Sequence, residues 1–218
     1  MMNQAEKTAS AERDYSGEWL RPPTVIVGAG PVGQRFAAEL RRHDAEREIV
    51  MFGEEPWAPY DRVQLSSWLA GKKNGSGTPG DDAHLRMYLG TQIERIDPAR
   101  HEVIDARGIA CPYEKLVLAT GSSARIPPIP GVRLPGVFTF RNLSDAQSLK
   151  ARSVRSRSMV VIGGGLLGLE TARALHRFNT QVTIIEQSTR LMFNQLDEDC
   201  AGLLQQHIEE LGIDVITS

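Results

Sequence analysis

Residues 25–33 read VIVGAGPVG, and residues 159–168 read MVVIGGGLLG, a second copy of the same pattern. Each stretch is a short apolar run, rich in β-branched side chains, that passes into G-x-G-x-x-G and then into a helical pattern. The order of strand, glycine turn and helix is the context in which this motif binds a dinucleotide. The sequence therefore predicts an α/β fold with two Rossmann-like units, with phosphates at the N-terminus of the helix in each.

The three glycines of each motif have separate roles. The first makes the tight turn, the second lets the backbone approach a pyrophosphate, and the third allows close packing of helix on strand. In this order they are Gly28, Gly30 and Gly33 in the first motif and Gly163, Gly165 and Gly168 in the second.

An acid follows the second predicted strand of each unit. Glu54 comes after residues 48–53, and Glu186 comes after residues 181–185. An acid about 20 residues beyond the glycines hydrogen-bonds the ribose hydroxyls in such units. The alternative is two ordinary α/β turns with exposed acids, which is less favoured because strand, glycines, helix and acid occur together twice.

Composition and charge exclude several classes of protein. The 218 residues carry a formal net charge of −2, which argues against a nucleic-acid-binding surface. No apolar run is long enough to span a membrane, and the N-terminus lacks the apolar core of a signal peptide. The two cysteines, Cys111 and Cys200, are far apart and match no metal or iron–sulfur spacing. We therefore expect a reduced, cytoplasmic protein without a metal site.

The rest of the chain predicts how the two units are built. Short strands at 92–96, 101–104 and 109–111 predict an antiparallel meander, and the apolar run at 115–119 predicts a buried parallel strand. Residues 71–82 read as a flexible glycine-rich loop. We expect helices over 31–43, 143–153 and 166–178, another from residue 197 that Gly212 ends, and a strand at 213–216.

Domain boundaries follow from composition. Residues 1–20 predict a disordered tail, and the proline-rich stretch 124–137 predicts a linker. We therefore expect one dinucleotide-binding domain over 21–125 and a second, incomplete one over 126–218.

Taken together, these features resemble the FAD- and NAD(P)H-dependent pyridine nucleotide oxidoreductases, in which the first unit binds FAD and the second NAD. Residues 52–56 (FGEEP) and 59–67 (PYDRVQLSS) are similar to the flavin module of NAD(P)H-dependent nitrite reductase large subunits. Residues 163–170 (GGGLLGLE) and 195–197 (QLD) fit the same group. The resemblance implies an oxidoreductase that passes hydride from NADH to FAD and electrons on to an acceptor.

The resemblance also implies which residues bind the cofactors. Those on the FAD side are Gly28, Gly30, Pro31, Val32, Gly33, Glu54, Arg62, Ser66, Ile93, Ala119, Thr120 and Gly121. Those on the nicotinamide side are Gly163, Gly165, Leu166, Leu167, Gly168, Glu170 and Glu186. Sequence spacing alone favours a surface ion pair of Arg62 with Asp61 or Glu55, and it leaves open a local pair of Glu170 with Arg173.

The type of nicotinamide cofactor depends on Glu186. A carboxylate accepts the 2′-hydroxyl of NADH and repels the 2′-phosphate of NADPH. We therefore expect NADH, although Arg190 is close enough in sequence to serve a 2′-phosphate.

Two departures from the resembling family affect the predicted activity. Many of its members carry a redox cysteine pair, and others a lysine, where this chain has residues 60–67 with neither. We therefore exclude a disulfide reductase. The chain also lacks the segments that complete the FAD domain and form a C-terminal interface domain, so we expect either a fragment of a longer protein or a truncated product, whose exposed edges would invite association or poor folding.

Three functions compete on this basis. The first is an enzyme module whose acceptor is a nitrite-reducing centre or a small redox protein, as in rubredoxin or ferredoxin reductases. The second is an inactive, truncated nucleotide-binding remnant, and the third is a nucleotide-sensing interaction protein. None of the three involves nucleic acid or a membrane.

Overall fold

The computed structural model describes Tyr15 and residues 21–72, 82–176 and 180–218. These form two compact units. The first unit contains the described residues within Met1–Tyr60 and Ser76–Ser122, and the second those within Asp61–Gly75 and Ser123–Ser218. Most of the loop predicted at 71–82 and the predicted end of the third helix at 178 lie outside the described residues.

Two sheets and one helix build the first unit. In chain order its elements are β1 (Thr24–Val27), α1 (Pro31–His43), β2 (Ile49–Gly53), β3 (Leu85–Leu89), β4 (Ile93–Asp97), β5 (Glu102–Asp105), β6 (Ala110–Pro112) and β7 (Lys115–Leu118). A parallel sheet has the order β3-β2-β1-β7, and an antiparallel sheet has the order β4-β5-β6. The predicted meander is confirmed, and so is the parallel pairing of the strand predicted at 115–119. The prediction that this strand is buried is wrong, because β7 is the edge of its sheet among the described residues and Leu118 is exposed. No sequence pattern indicated β3.

The β1 and β2 side chains are buried on both faces of the parallel sheet, which explains their unbroken apolar sequences. Ile26, Ile49 and Met51 pack with Ala37 of α1. On the opposite face Val25, Val50 and Phe52 pack with Val103 and Cys111 of the antiparallel sheet and with Tyr113, which follows it. Both faces of β1 and β2 are thereby removed from water.

The α1 face differs from the expected one. The helical spacing of its apolar residues predicts one inward face made of Val32, Phe36, Ala37 and Leu40. In the structure Val32 is 70% exposed and Phe36 is also exposed. The buried residues of α1 are Gly33 and Ala37. The helix approaches β1 through these small residues, so Val32 at its first turn is left open to solvent.

Tyr15 is the one described residue of the predicted disordered tail, and it is ordered. Its ring is buried edge-on against Phe52 and Tyr88. Its hydroxyl donates a 2.8 Å hydrogen bond to Asp105 and accepts one of the same length from Arg107. An aromatic side chain from the predicted tail thus completes the core at this position. The other residues of the tail lie outside the described residues, and their disorder stays a prediction.

The second unit contains a three-stranded parallel sheet of order β10-β9-β8 and four helices. Its elements are α2 (Leu65–Leu69), α3 (Leu143–Ser153), β8 (Ser158–Ile162), α4 (Leu166–His176), β9 (Gln181–Ile185), α5 (Glu198–Glu210) and β10 (Ile213–Ile216). A short 3-10 turn, Arg62–Gln64, precedes α2. Caps define two helix starts: Asn142 and Asp145 form a capping box at α3, and Asp197 caps α5.

One apolar core joins α2, α3, α4 and α5 to a single face of this sheet. Leu69 of α2 is fully buried among Leu149, Leu169 and Leu175, which explains why the segment around α2 belongs to this unit and not to the first. The opposite face of the sheet exposes Val160, Ile162, Ile185 and Ile216. Among the described residues no helix is long and apolar enough to cross a membrane.

Candidate dinucleotide-binding sites

The first glycine turn leaves no room for side chains. Gly28 has φ +118°, and a Cβ there would lie 2.1 Å from the carbonyl oxygen of Ala119. A Cβ on Gly33 would lie 2.0 Å from the carbonyl oxygen of Gly28. Both positions therefore require glycine, because the turn is pressed between the end of β7 and the first turn of α1.

The N-terminus of α1 is suited to an anion. Gly30 is its N-cap, with extended backbone, and no side chain caps the helix. Pro31 at the first helical position has no N–H to leave unsatisfied, so the free donors of the first turn are the amides of Val32 and Gly33, and the amide of Gln34 already donates to Gly30. Free amides and the helix dipole together fit a pyrophosphate.

The strand ends around this turn converge. The amide of Gly28 donates to Phe52 at 2.8 Å, and the amide of Ala119 donates to Val27 at 2.8 Å. The carboxyl ends of β1, β2 and β7 therefore meet, which is where open α/β sheets bind ligands. Thr120 and Gly121 are exposed just beyond β7, and Glu54 is exposed just beyond β2.

The second glycine turn repeats the geometry of the first. Gly163 has φ +114°, and a Cβ on Gly168 would lie 2.0 Å from the carbonyl oxygen of Gly163. Around Gly163 itself, however, a Cβ would meet no atom within 4 Å. The difference arises because β8 is the edge strand among the described residues, whereas β1 has β7 beside it.

The carboxylate of Glu186 is held by two backbone amides next to this turn. Gly164 donates to Oε2 at 2.6 Å, and Ser188 donates to Oε1 at 2.7 Å. Partial burial of Glu186 acts to raise its pKa, but the hydrogen bonds from Ser188 and Gly164 outweigh this and hold the pKa below its usual value. The side chain is therefore ionised at neutral pH.

Residues 22–218 match the family described as pyridine nucleotide-disulphide oxidoreductase. The chain belongs to this family. Its members are FAD- and NAD(P)H-dependent oxidoreductases, in agreement with the two glycine turns.

Known relatives of this chain are longer than the chain itself. It is 40% identical to the nitrite reductase [NAD(P)H] large subunit of Klebsiella oxytoca, over 91% of this chain and 21% of the relative. It is 36% identical to rubredoxin-NAD(+) reductase of Ectopseudomonas oleovorans, over 87% of this chain and 51% of the relative. Putidaredoxin reductase, in the crystal structure of its covalent complex with putidaredoxin, superposes with a TM-score of 0.80 at 30% identity, covering 90% of this chain and 49% of that one.

The cofactor-binding residues expected from the family resemblance divide between the two units. In the first unit Gly28, Gly30, Pro31, Val32, Gly33, Glu54, Ala119, Thr120 and Gly121 gather at the carboxyl ends of β1, β2 and β7. Ile93 lies in the antiparallel sheet instead, two residues after Thr91, whose amide donates to Gly53 at 2.8 Å. In the second unit Gly163, Gly165, Leu166, Leu167 and Gly168 form the second turn and the start of α4.

Arg62 and Ser66, expected on the FAD side, fold with the second unit. Ser66 donates a 2.8 Å hydrogen bond to Glu170, so Glu170 has a distant partner where sequence spacing offered Arg173. Asp61 accepts hydrogen bonds from the amide of Val63 and the side chain of Gln64. Arg62 points one guanidinium nitrogen toward the carbonyl of Arg141, at 3.5 Å.

The two acids are not structurally equivalent, which the sequence did not reveal. Gly28 donates to Phe52 just as Gly163 donates to Ile185, so the position of Glu186 corresponds to Gly53, and Glu54 lies one residue further on. Sequence reasoning also missed Gly164, the middle residue of the second turn. The only signal for it was the run of three glycines at 163–165, where the first motif has GAG.

Proposed function

We propose that this chain is the nucleotide-binding part of an FAD-dependent NADH oxidoreductase that passes electrons to a redox partner. The observation that carries the proposal is the duplicated turn: Gly28 and Gly163 share the same left-handed backbone, and each precedes a helix that a third glycine packs against the turn. Two such turns in one chain provide for two dinucleotides. The chain spans between about a fifth and a half of the length of the relatives described above.

We assign the first turn to FAD and the second to NADH, in domains at 21–125 and 126–218, with the segment around α2 folding as part of the second unit. In the first unit the open amides at Val32 and Gly33 would bind the pyrophosphate of FAD, with Glu54 toward the adenosine ribose. In the second the N-terminus of α4 would bind the pyrophosphate of NADH. When bound, FAD supplies the chemistry, accepting a hydride from NADH and releasing electrons onward. The protein contributes binding, orientation and electrostatics.

The preference for NADH rests on Glu186. Its depressed pKa keeps it negative at neutral pH, and a fixed negative charge near the ribose repels a 2′-phosphate. A free 2′-hydroxyl can donate to the same carboxylate. The acid that binds Gly164 thus also favours NADH over NADPH.

The names of the relatives support a protein electron acceptor. They include a nitrite reductase large subunit, a reductase of rubredoxin, and a reductase in covalent complex with putidaredoxin. We propose a nitrite-reducing centre or a small redox protein as the acceptor of this chain. The greater identity to the nitrite reductase subunit favours the first.

The test is an absorbance spectrum of the purified chain with added FAD, before and after anaerobic NADH. We expect a bound flavin spectrum that bleaches with NADH and more slowly with NADPH. A matched pair of variants assigns the turns. Gly33→Val should abolish flavin retention, and Gly168→Val should retain flavin but lose bleaching, because each added side chain would strike the carbonyl of the preceding turn.

Two outcomes would contradict the proposal. A folded chain that retains no flavin would be the inactive nucleotide-binding remnant. Loss of flavin from Gly168→Val with retention by Gly33→Val would reverse the assignment of the two turns.

A further inference from the structure

Both backbone polar groups of Gly164 are hydrogen-bonded by residues that follow β9. Its N–H donates to Glu186 at 2.6 Å, and its carbonyl accepts from the amide of Met192 at 3.0 Å. These are the two backbone polar groups that orient the middle of the glycine turn. Their orientation is therefore fixed from outside the turn.

The same contacts exclude a side chain at Gly164. A Cβ there would lie 2.6 Å from Cδ2 of Leu191 and 3.1 Å from Cβ of Glu186. Leu191 is fully buried, and Met192 has φ +51°, a left-handed conformation that is uncommon outside glycine. Such a conformation persists where surrounding contacts hold it, and here the bond to Gly164 is one of them.

Arg190 binds the residues that follow Leu191 and Met192 in the chain. Its Nε donates to the carbonyl of Leu196 at 3.1 Å, and its Nη2 to the carbonyl of Phe193 at 3.3 Å. The guanidinium also lies 4.3 Å from the centroid of the Phe193 ring. We call residues 186–196 the clasp: Glu186, Leu191 and Met192 contact Gly164, and Arg190 ties the segment to itself.

The first unit has no such contact at the equivalent positions. There Ala29 stands in place of Gly164, and Gly53 stands in place of Glu186. A Cβ on Gly53 would lie 2.9 Å from the Cβ of Ala29. In each unit, therefore, only one of the two facing positions can carry a side chain. In the first unit it is the turn residue, Ala29, and in the second it is the acid after the strand, Glu186.

We propose that the clasp sets the peptide orientation of the second glycine turn before a nucleotide binds, and that Arg190 is a positioning residue for it. This inference rests on the proposed binding of NADH at the second turn. Its consequence for specificity is that Arg190, the residue whose sequence position suggested a 2′-phosphate ligand, is committed to backbone carbonyls and an aromatic ring. Discrimination between NADH and NADPH is then left to Glu186.

Two measurements on the full chain test this role. The first is the amide resonance of Gly164 in protein labelled with ¹⁵N-glycine. We expect a proton shift far downfield, because the hydrogen bond to Glu186 is short and charge-assisted, and a move upfield as pH falls through the depressed pKa of Glu186. The second is calorimetric titration with NADH and with NADPH.

Arg190→Ala should move the Gly164 resonance upfield at neutral pH. It should also lower the affinities for NADH and for NADPH by the same factor, roughly tenfold, which is the scale of one charge-assisted hydrogen bond. Arg190→Lys should restore part of both effects, since an ammonium can reach one carbonyl but not two. Arg155→Ala, an exposed arginine in the same unit, controls for the lost charge and should change neither.

An unmoved Gly164 resonance in Arg190→Ala would overturn the positioning role. So would selective loss of NADPH affinity, which would make Arg190 a phosphate ligand. If the wild-type chain binds neither nucleotide, the proposed function fails, while the resonance of Gly164 still decides whether Arg190 holds the clasp. Unchanged resonances of Gly28 and Gly33 in the first unit would show that the variant is folded.

Discussion

The hydroxyl of Ser66 donates a 2.8 Å hydrogen bond to the carboxylate of Glu170, across 104 residues of sequence. The two residues lie on α2 and α4, whose apolar sides share one core through Leu69 and Leu169. Family resemblance assigns Ser66 to the FAD side and Glu170 to the nicotinamide side. A single polar contact therefore joins the two predicted cofactor-binding segments within one unit.

Removing this contact should affect hydride transfer more than stability. For Ser66→Ala we expect a loss within about 1 kcal/mol in unfolding free energy, because the bond is exposed. The freed Glu170 should hold the nicotinamide less firmly and slow anaerobic reduction of bound flavin by NADH in rapid-mixing experiments. Ser67→Ala, the neighbouring serine, is the control, and an equal slowing in both variants would contradict a role for the pair.

The two glycine turns should differ in their tolerance of alanine. Gly28→Ala adds a Cβ 2.1 Å from the carbonyl of Ala119 at positive φ, and we expect a loss above about 3 kcal/mol. Gly163→Ala has the same backbone strain but open space, so we expect about 1–3 kcal/mol. Urea denaturation, with resonances of each unit followed separately, measures both. Equal losses would show that packing against β7 adds nothing.

The contact of Tyr15 should make the first unit sensitive to acid. Burial acts to raise the pKa of Asp105, but hydrogen bonds from Ile109, Arg107 and Tyr15 outweigh it and hold the pKa below its usual value. A depressed pKa contributes stability that is present above the unfolded value, about 3.9, and is lost as pH falls through the folded one. Urea midpoints below about pH 4 should therefore decline in the wild type.

Two variants isolate this effect. Asp105→Asn should be less stable at neutral pH and should have a flatter acid limb, and Tyr15→Phe should lose about 1 kcal/mol while keeping the ring packing. Glu94→Gln, an exposed acid on the neighbouring strand, should leave the profile unchanged. An acid limb in Asp105→Asn as steep as in the wild type would assign the acid sensitivity to another group.

The cysteines should react very differently. Cys111 is fully buried, and desolvation raises its pKa to about 12. Cys200 is exposed, although a hydrogen bond to Asp197 raises its pKa too. Mass spectrometry after treatment with a thiol reagent should therefore find one label on the native chain and two on the unfolded chain. Cys200→Ser should take no label when native, and a labelled native Cys111 would show that the first unit opens.

Elements can be predicted from the sequence where a short stretch of chain carries the whole signal, such as an apolar run followed by a glycine motif. The runs at β1 and β2 are apolar because both of their faces are buried, the runs at β8 and β9 are apolar although one of their faces is exposed, and G-x-G-x-x-G marks each turn. By contrast β3 carries Arg86 in a short run, and its place in the sheet depends on pairing with β2. No local pattern signals a strand of that kind.

The features that sequence reasoning missed all depend on contacts between distant residues. Tyr15 is a lone aromatic in a polar stretch, and its burial depends on Phe52, Tyr88 and Asp105. The dinucleotide motif accepts any residue at the position of Gly164, and the restriction there comes from Leu191, which follows 27 positions later in this chain. Arg190 donates to backbone carbonyls, which every residue has, so spacing cannot identify its partners.

The small residues that face each other in the two turns also limit the order in which substitutions can accumulate. To give the first turn an acid like that of the second requires both Gly53→Glu and Ala29→Gly. Gly53→Glu alone would bring its Cβ to 2.9 Å from that of Ala29, whereas Ala29→Gly alone only removes a methyl group. The two changes are therefore epistatic. On a mutational path between the two kinds of turn, Ala29→Gly has to come first and Gly53→Glu second.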